Sequence, residues 1–267
     1  DGGKTFTPGV EVDPSTGRQD RPCLALDSNG NPVVAWIEVH DVAENMNPVG
    51  YIHVSRSVDG GATFLPSVSV YPQSKPHQGW PALAIDSNDN PMVGMHYYSA
   101  ANSWDVFFTR SGDQGASFST PVPVANDSNN QYIMGNDAIV LDSHDRPYIA
   151  FMDDRSGEWN IRITRPAPDG KGFLESVPID SSPARQILPS LAMDSNDTLY
   201  VTWADSRSGV SNIRFTMSKD GGVTFRKSIP VDPVDVLQNR TCLAVDSVRG
   251  VLHVIWTDNR QGTYYVY

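Results

Sequence analysis

Apolar and polar positions alternate along this chain in short runs, and the runs recur about every 50 residues, the spacing of a propeller or an array of repeats. One segment is written five times: Leu24-Ala25-Leu26-Asp27-Ser28, Leu83-Ala84-Ile85-Asp86-Ser87, Ile139-Val140-Leu141-Asp142-Ser143, Leu191-Ala192-Met193-Asp194-Ser195 and Leu243-Ala244-Val245-Asp246-Ser247. Each reads as a buried strand running into a polar turn. A second strand follows, as in Pro32–Trp36 or Leu199–Trp203, and a third alternating strand after it, as in Asn212–Thr216. A fourth carries apolar residues two apart: Val68 and Val70, Val122 and Val124, Val177 and Ile179, Ile229 and Val231. Four strands per period in meander order make one propeller blade.

Between the third and fourth strands a second pattern returns. Ser57 to Phe64, Ser111 to Phe118 and Ser218 to Phe225 share Ser, Asp, Gly and Phe at fixed offsets, Asp169 to Phe173 is a copy shortened by one residue, and the chain begins inside another at Asp1. This describes a tight hairpin in which the Asp accepts backbone N–H bonds, Gly supplies a positive φ and the aromatic drops back onto the sheet. The pattern S-x-D-x-G-x-x-F resembles the Asp-box, or BNR repeat, of the sialidase-like β-propellers, with Asp1, Asp59, Asp113, Asp169 and Asp220 as its acidic residues. The copies cover nearly the whole chain.

The expected fold is therefore all-β, a single propeller domain with blades at about 19–71, 78–125, 134–180, 186–232 and 238–267 plus 1–13. Five blades result if Val10 and Val12 supply the fourth strand that the last blade lacks, pairing the two termini in one composite blade. A fragment of a propeller with six or more blades is the alternative.

At 267 residues the chain is long enough for one sizeable core, and its 31 acidic against 20 basic residues argue against nucleic acid or an anionic membrane as partner. No apolar run approaches a membrane span and no signal peptide is visible; the extracellular or cell-surface location is what the resemblance implies. Cys23 and Cys242 occupy the same offset in their blades, where other blades carry Ala82, Ala138 and Ser190. Side chains at equivalent places should point the same way round the ring, so two small buried thiols are expected ahead of a bridge. The Asp-Ser-Asn turns, such as Asp86–Asn90, look like the start of a calcium loop but lack its Gly and distal Glu. They read as plain turns, and no cofactor is expected.

In a meander propeller the Asp-boxes and Asp-Ser-Asn turns share one face, while the inter-blade segments and second hairpins surround the channel mouth on the other. Ligands belong at that mouth. Asp153–Gly157, Asp205–Gly209 and Asp258–Gly262 repeat Asp-x-Arg-x-Gly there, either as a site for a sugar acid or as an Asp–Arg pair stiffening a loop; repetition favours the loop. Gln19, Gln78, Gln186 and Gln238 form a quasi-ring, with Met134 in the third blade's place, and either line the mouth or satisfy backbone between blades. Function is to be sought where blades depart from their pattern: Glu38 in the long second hairpin of blade one, His77, Trp80 and Tyr97 in blade two, Gln131, Tyr132 and Asp137 in blade three, with Arg21 and Arg240 beside them.

The resemblance implies an Arg-Ile-Pro segment, three arginines for a substrate carboxylate, a Tyr nucleophile paired with Glu, and an Asp acid/base. Arg-Ile-Pro is missing here, and the nearest arginines are Arg21 and Arg240. Two readings stand: a non-catalytic module binding carbohydrate, another polar ligand or protein at the channel mouth, and a glycoside hydrolase using Glu38, Asp137 or Asp153. A third is a subunit of a larger surface assembly, reached by strand exchange or docking at the composite terminal blade.

Overall fold

The computed structural model describes residues 4–42, 48–71, 78–98, 103–125, 127–135 and 137–267. It is a five-bladed β-propeller of small antiparallel sheets, with no helix among those residues. Blade one holds β1 (Arg18–Leu26), β2 (Pro32–Val42), β3 (Pro48–Arg56) and β4 (Val68–Ser69); blade two holds β5 (Gln78–Ile85), β6 (Pro91–Tyr98), β7 (Trp104–Arg110) and β8 (Val122–Ala125). Blade three is built from β9 (Gln131–Tyr132), β10 (Ile139–Leu141), β11 (Pro147–Asp153), β12 (Asn160–Thr164) and β13 (Val177–Pro178). Blade four comprises β14 (Gln186–Met193), β15 (Leu199–Asp205), β16 (Asn212–Ser218) and β17 (Ile229–Pro230), and blade five β18 (Gln238–Asp246), β19 (Val251–Asp258) and β20 (Tyr265–Val266).

The period-two alternation decides which neighbour each side chain meets. In blade one Cys23, Val33, Ala35, Ile52 and Val54 point at Leu83, Val93 and Met95 of blade two. In blade three Tyr148, Ala150, Met152, Ile161 and Ile163 point at Leu191, Leu199, Val201 and Trp203 of blade four. The core is thus a series of layers between blades. Each fully buried large side chain in these layers contributes about 1.5–3 kcal/mol.

Two further devices tie blade to blade. The Ser28 N–H and hydroxyl donate to the Asp89 carboxylate at 2.7 and 2.9 Å, and Ser87 to Asp145 and Ser143 to Asp197 repeat the bond. Arg155, Arg207 and Arg260 each fork onto the Asp two residues earlier and reach back to Asp127, Asp180 or Asp232, which leave the preceding blade. The Asp-x-Arg repeat is therefore an inter-blade clamp.

The expected composite blade is not formed. The sheet of blade five has three strands, and residues 4–17 form none. Pro8 and Pro14 flank the candidate strand and remove ladder donors, Asp13 is held in a local turn by the Ser15 N–H, and Phe6 is left 91% exposed. Blades five and one do not pack as the other neighbours do: Leu24 is 63% exposed, whereas its counterparts Leu83, Ile139, Leu191 and Leu243 are at most 6% exposed. Both cysteines are free; Cys23 is buried as expected, but Cys242 is exposed because no blade covers its side of β18.

Candidate functional site: the channel mouth

Every first strand breaks its register near the mouth. On β1 the pairing jumps from Asp20↔Ile37 to Cys23↔Ala35, and β5, β14 and β18 jump at the same place. Two residues there oppose one on the partner strand, a bulge that re-aims a side chain. The re-aimed residues are Arg21, Trp80, Leu188 and Arg240, with φ of 53°, 48°, 56° and 50°. Left-handed backbone in Arg, Trp and Leu is uncommon and costs about 1 kcal/mol or more per residue. In blade three the bulge is enlarged: β9 and β10 both pair with β11, and Ile133, Met134 and Gly135 leave the ladder between them.

These bulges surround a pocket of about 450 Å³ in the channel, lined by Trp80, Met134, Asp137, Leu188, Arg240 and Cys242 among others. Arg21 lies over the Trp80 ring, 4.2 Å from its centroid. Among the described residues, Asp137 is the only carboxylate lining the pocket. Burial pushes its pKa up, opposed by bonds from the Ser190 hydroxyl, the Leu243 N–H and the Cys242 thiol. Since Ser190 belongs to blade four and Cys242 to blade five, this carboxylate joins three blades across the channel.

Beside the pocket runs a series of half-buried rings. Tyr98 and Trp104 are 5.2 Å apart, Trp104 and Tyr132 5.7 Å, Tyr132 and Trp159 5.3 Å. His96 supports them from below, edge-on to Trp104 at 5.0 Å and to Tyr132 at 5.1 Å, with its Nδ1 3.1 Å from the Ile133 carbonyl oxygen. Complete burial lowers the His96 pKa to about 3, so the imidazole is neutral. Burial also raises the Tyr132 pKa.

Of the residues singled out from the sequence, Trp80, Asp137 and Arg240 line the pocket, Arg21 stacks on Trp80, and Tyr132 belongs to the series of rings. Tyr97 packs instead edge-on to Tyr71 and Phe107. The glutamines do not line the channel. Gln78, Gln186 and Gln238 are buried, and their Oε1 atoms accept the N–H groups of Ile52, Ile161 and Ile213 on the preceding blade at 2.9, 3.2 and 2.8 Å. In blade three Gln131, not Met134, takes the equivalent register position opposite Asp153, but its Nε2 donates to Asp127 at 2.6 Å and its Oε1 accepts no hydrogen bond among the described residues. Gln19 is exposed and donates to the Asp13 carbonyl and the Ser15 hydroxyl. His77 and Asp1 lie outside the described residues.

The remaining carboxylate candidates stand apart from the pocket. Glu38 is 3.2 Å from His53 Nε2, and Asp153 is fully buried under the Arg155 fork at 2.7 Å. In the Asp-box-like hairpins the Asp59, Asp113 and Asp220 carboxylates accept hydroxyl and N–H bonds from Thr63, Ser117 and Thr224. Those hydroxyl bonds hold all three pKa values down at about 2. Asp169 keeps less of this pattern, accepting the Lys171 N–H at 3.0 Å. Of the rings, Trp159 was missed in the sequence; its signal was its position two residues after the Asp153–Gly157 loop on the mouth face.

No family model matches the chain, and no curated protein matches it. Solved structures share its fold. A protein of unknown function from Dyadobacter fermentans superposes with a TM-score of 0.68 at 14% identity over 93% of this chain and 77% of that one. An endo-arabinase from Bacteroides thetaiotaomicron gives 0.57 at 13% over 97% and 96%, and a NanB sialidase from Streptococcus pneumoniae 0.64 at 10% over 94% and 58%. The chain thus spans less than two thirds of the sialidase. At these identities the likeness is one of fold, shared with sialidases and other carbohydrate-active propellers.

Proposed function

We propose that this protein is an extracellular, non-catalytic Asp-box propeller that binds carbohydrate at the channel mouth. The observation that carries the reading is the run Tyr98, Trp104, Tyr132 and Trp159, four half-buried rings beside a pocket flanked by Arg21 and Arg240. Such rings offer apolar faces to sugar C–H groups, and the arginines offer fixed forks of donors to hydroxyl or acidic oxygens. The likeness in fold to an arabinase and a sialidase supports carbohydrate as the ligand class. Binding rather than hydrolysis is favoured because most glycosidases use two carboxylates about 5–10 Å apart across the cleft, and the Arg-Ile-Pro segment that goes with the Tyr-nucleophile chemistry of sialidases is missing from the sequence. Among the described residues lining the pocket Asp137 stands alone.

Titrating a panel of oligosaccharides against tryptophan fluorescence tests this. A ligand that quenches with micromolar to millimolar affinity, weakened about tenfold or more in Trp159→Ala, is expected. Reporter release from aryl glycosides that disappears in Asp137→Asn would establish a hydrolase in its place.

A second reading, assembly with another copy of the chain, is favoured by the open side of blades one and five. Leu24, Leu26, Ile255 and Val266 lie exposed there at 51–70%, and they continue the interfaces that bury the other blades. Head-to-tail docking of blade five on blade one of the next copy would cover both. Light scattering decides: a mass that grows with concentration is expected, and a monomer at high concentration ends this reading.

A further inference from the structure

A groove of about 610 Å³ lies on the opposite, Asp-box face, between blades two and three. Its counterpart between blades one and two measures about 400 Å³. The difference has a local origin. In the smaller groove Arg56, the residue before the hairpin serine, donates from Nη1 to the carbonyl and Oε1 of Gln114 at 3.1 and 2.8 Å. Gln114 follows the hairpin aspartate with a φ of 57°.

In the larger groove Arg110 takes the place of Arg56, but the hairpin opposite is the shortened copy, and Gly170 follows Asp169 with a φ of 68°. The backbone there has the same hand as at Gln114, and a Cβ at Gly170 would meet nothing within 4 Å. Arg110 has therefore lost its acceptor. Among the described residues neither its guanidinium nor the Lys171 ammonium makes a hydrogen bond or ion pair, although both line the groove.

The other charges of the groove are committed. Asp86 accepts the N–H groups of Asn88 and Asn90, Asp145 accepts both bonds from Ser87, and Arg146 pairs with Asp142 at 2.7 Å. Two uncommitted cations thus face one groove in a chain whose net charge is −11. Beneath them Met92 and Phe108 are buried and Phe173 stands edge-on to Phe108 at 5.3 Å. An apolar floor under a cationic rim suits a ring that carries an acid group.

We infer that this groove is a second binding site, for one hexuronic acid residue: its ring on the Phe108–Phe173 floor, its carboxylate held by Arg110 and Lys171. A hydroxylated ring fits the rim, which adds Thr120, Asn88 and His144 as hydrogen-bonding groups. The site stands independently of the channel mouth, since it lies on the other face and uses none of its residues.

Isothermal titration with free glucuronic acid tests it, with glucose and benzoate as controls. Glucuronate is expected to bind in the millimolar range, and glucose and benzoate at least about tenfold more weakly. Arg110→Gln should lower glucuronate affinity about tenfold. Gly170→Gln should do the same by a different route, because it returns to Arg110 the partner that Gln114 gives Arg56, at a φ that Gln114 already tolerates. Lys219→Gln, at an exposed cation on another hairpin of the same face that lines neither groove, should leave glucuronate binding unchanged. Equal binding of benzoate or glucose, no glucuronate binding at about 10 mM, full affinity in both groove variants, or loss in Lys219→Gln would each overturn the assignment. Thermal unfolding of each variant confirms that the fold is retained.

Discussion

The Arg21 guanidinium lies 4.2 Å from the centroid of the Trp80 ring, and the two residues hold the same left-handed backbone at equivalent places in neighbouring blades. Arg240 and Leu188 complete the set with φ of 50° and 56°. A conformation that glycine adopts freely is here kept by large side chains, so the fold carries strain at its channel mouth. Strain of this kind marks sites where position matters more than stability. Arg240→Gly is therefore expected to raise the stability of the fold by about 1 kcal/mol. The same change should weaken ligand binding at the mouth about tenfold, as loss of a charged donor does. Urea unfolding and ligand titration of one variant measure both; a destabilised Arg240→Gly removes the strain argument.

His96 makes stability depend on pH in the range where most enzymes and binding proteins work. Its folded pKa of about 3 lies below the ordinary value of 6.5, because burial disfavours the imidazolium. The unfolded chain therefore binds a proton that the folded chain refuses. The contribution is fully present above pH 6.5 and is lost as pH falls from 6.5 toward 3, at up to about 1.4 kcal/mol per pH unit. Unfolding free energies at pH 7.5 and 5.5 should differ more for the wild type than for His96→Gln. Equal differences would mean that the ring is not held neutral.

The Asp-box-like hairpins act at lower pH and in a different way. Asp113 is held at about 2 first by the Ser117 hydroxyl, then by Ser111 and the Ser117 N–H. Its folded pKa is depressed, so its contribution is present above the unfolded value near 3.9 and is lost as pH falls through about 2. Asp113→Ala should accordingly be destabilised at pH 7 but indistinguishable from wild type in acid near pH 2, with circular dichroism melting curves as the measurement. A destabilisation that persists at pH 2 would place the effect in packing.

The repeat was legible in the sequence because strand alternation and hairpin chemistry are local. Leu24 and its four counterparts fixed the phase, and the repeated Asp-x-Arg could be read as a structural pair. The left-handed bulges were not legible. Positive φ is signalled by Gly or Asn, and here Arg21, Trp80, Leu188 and Arg240 adopt it under the compulsion of register on both sides. For the same reason equal spacing points to Met134 where Gln131 belongs, since the bulge lengthens blade three between that residue and the strand that follows. The composite blade failed because Val10 and Val12 alternate correctly but Pro8 and Pro14 deny the strand its ladder, a constraint that two apolar positions do not reveal.

The clamp in blade four tests how blades hold one another. Arg207 bonds Asp205 through Nε and Nη2 at 2.8 and 2.7 Å and Asp180, from blade three, at 2.9 Å; Asp205 also accepts the Trp203 indole N–H at 3.0 Å. Asp205 is fully buried in side chain and Arg207 is 29% exposed. Removing the cation leaves two carboxylates facing each other with little water, a break that costs about 3 kcal/mol or more for a buried pair. Arg207→Ala should therefore lose about that much, whereas Arg207→Lys should recover only part of it, since an ammonium cannot fork onto Asp205 and reach Asp180 together. A double variant, Arg207→Ala with Asp205→Asn, should be more stable than Arg207→Ala alone because it removes the uncompensated charge. If the single and double variants unfold at the same urea concentration, the clamp is decorative and the blades are held by their apolar layers.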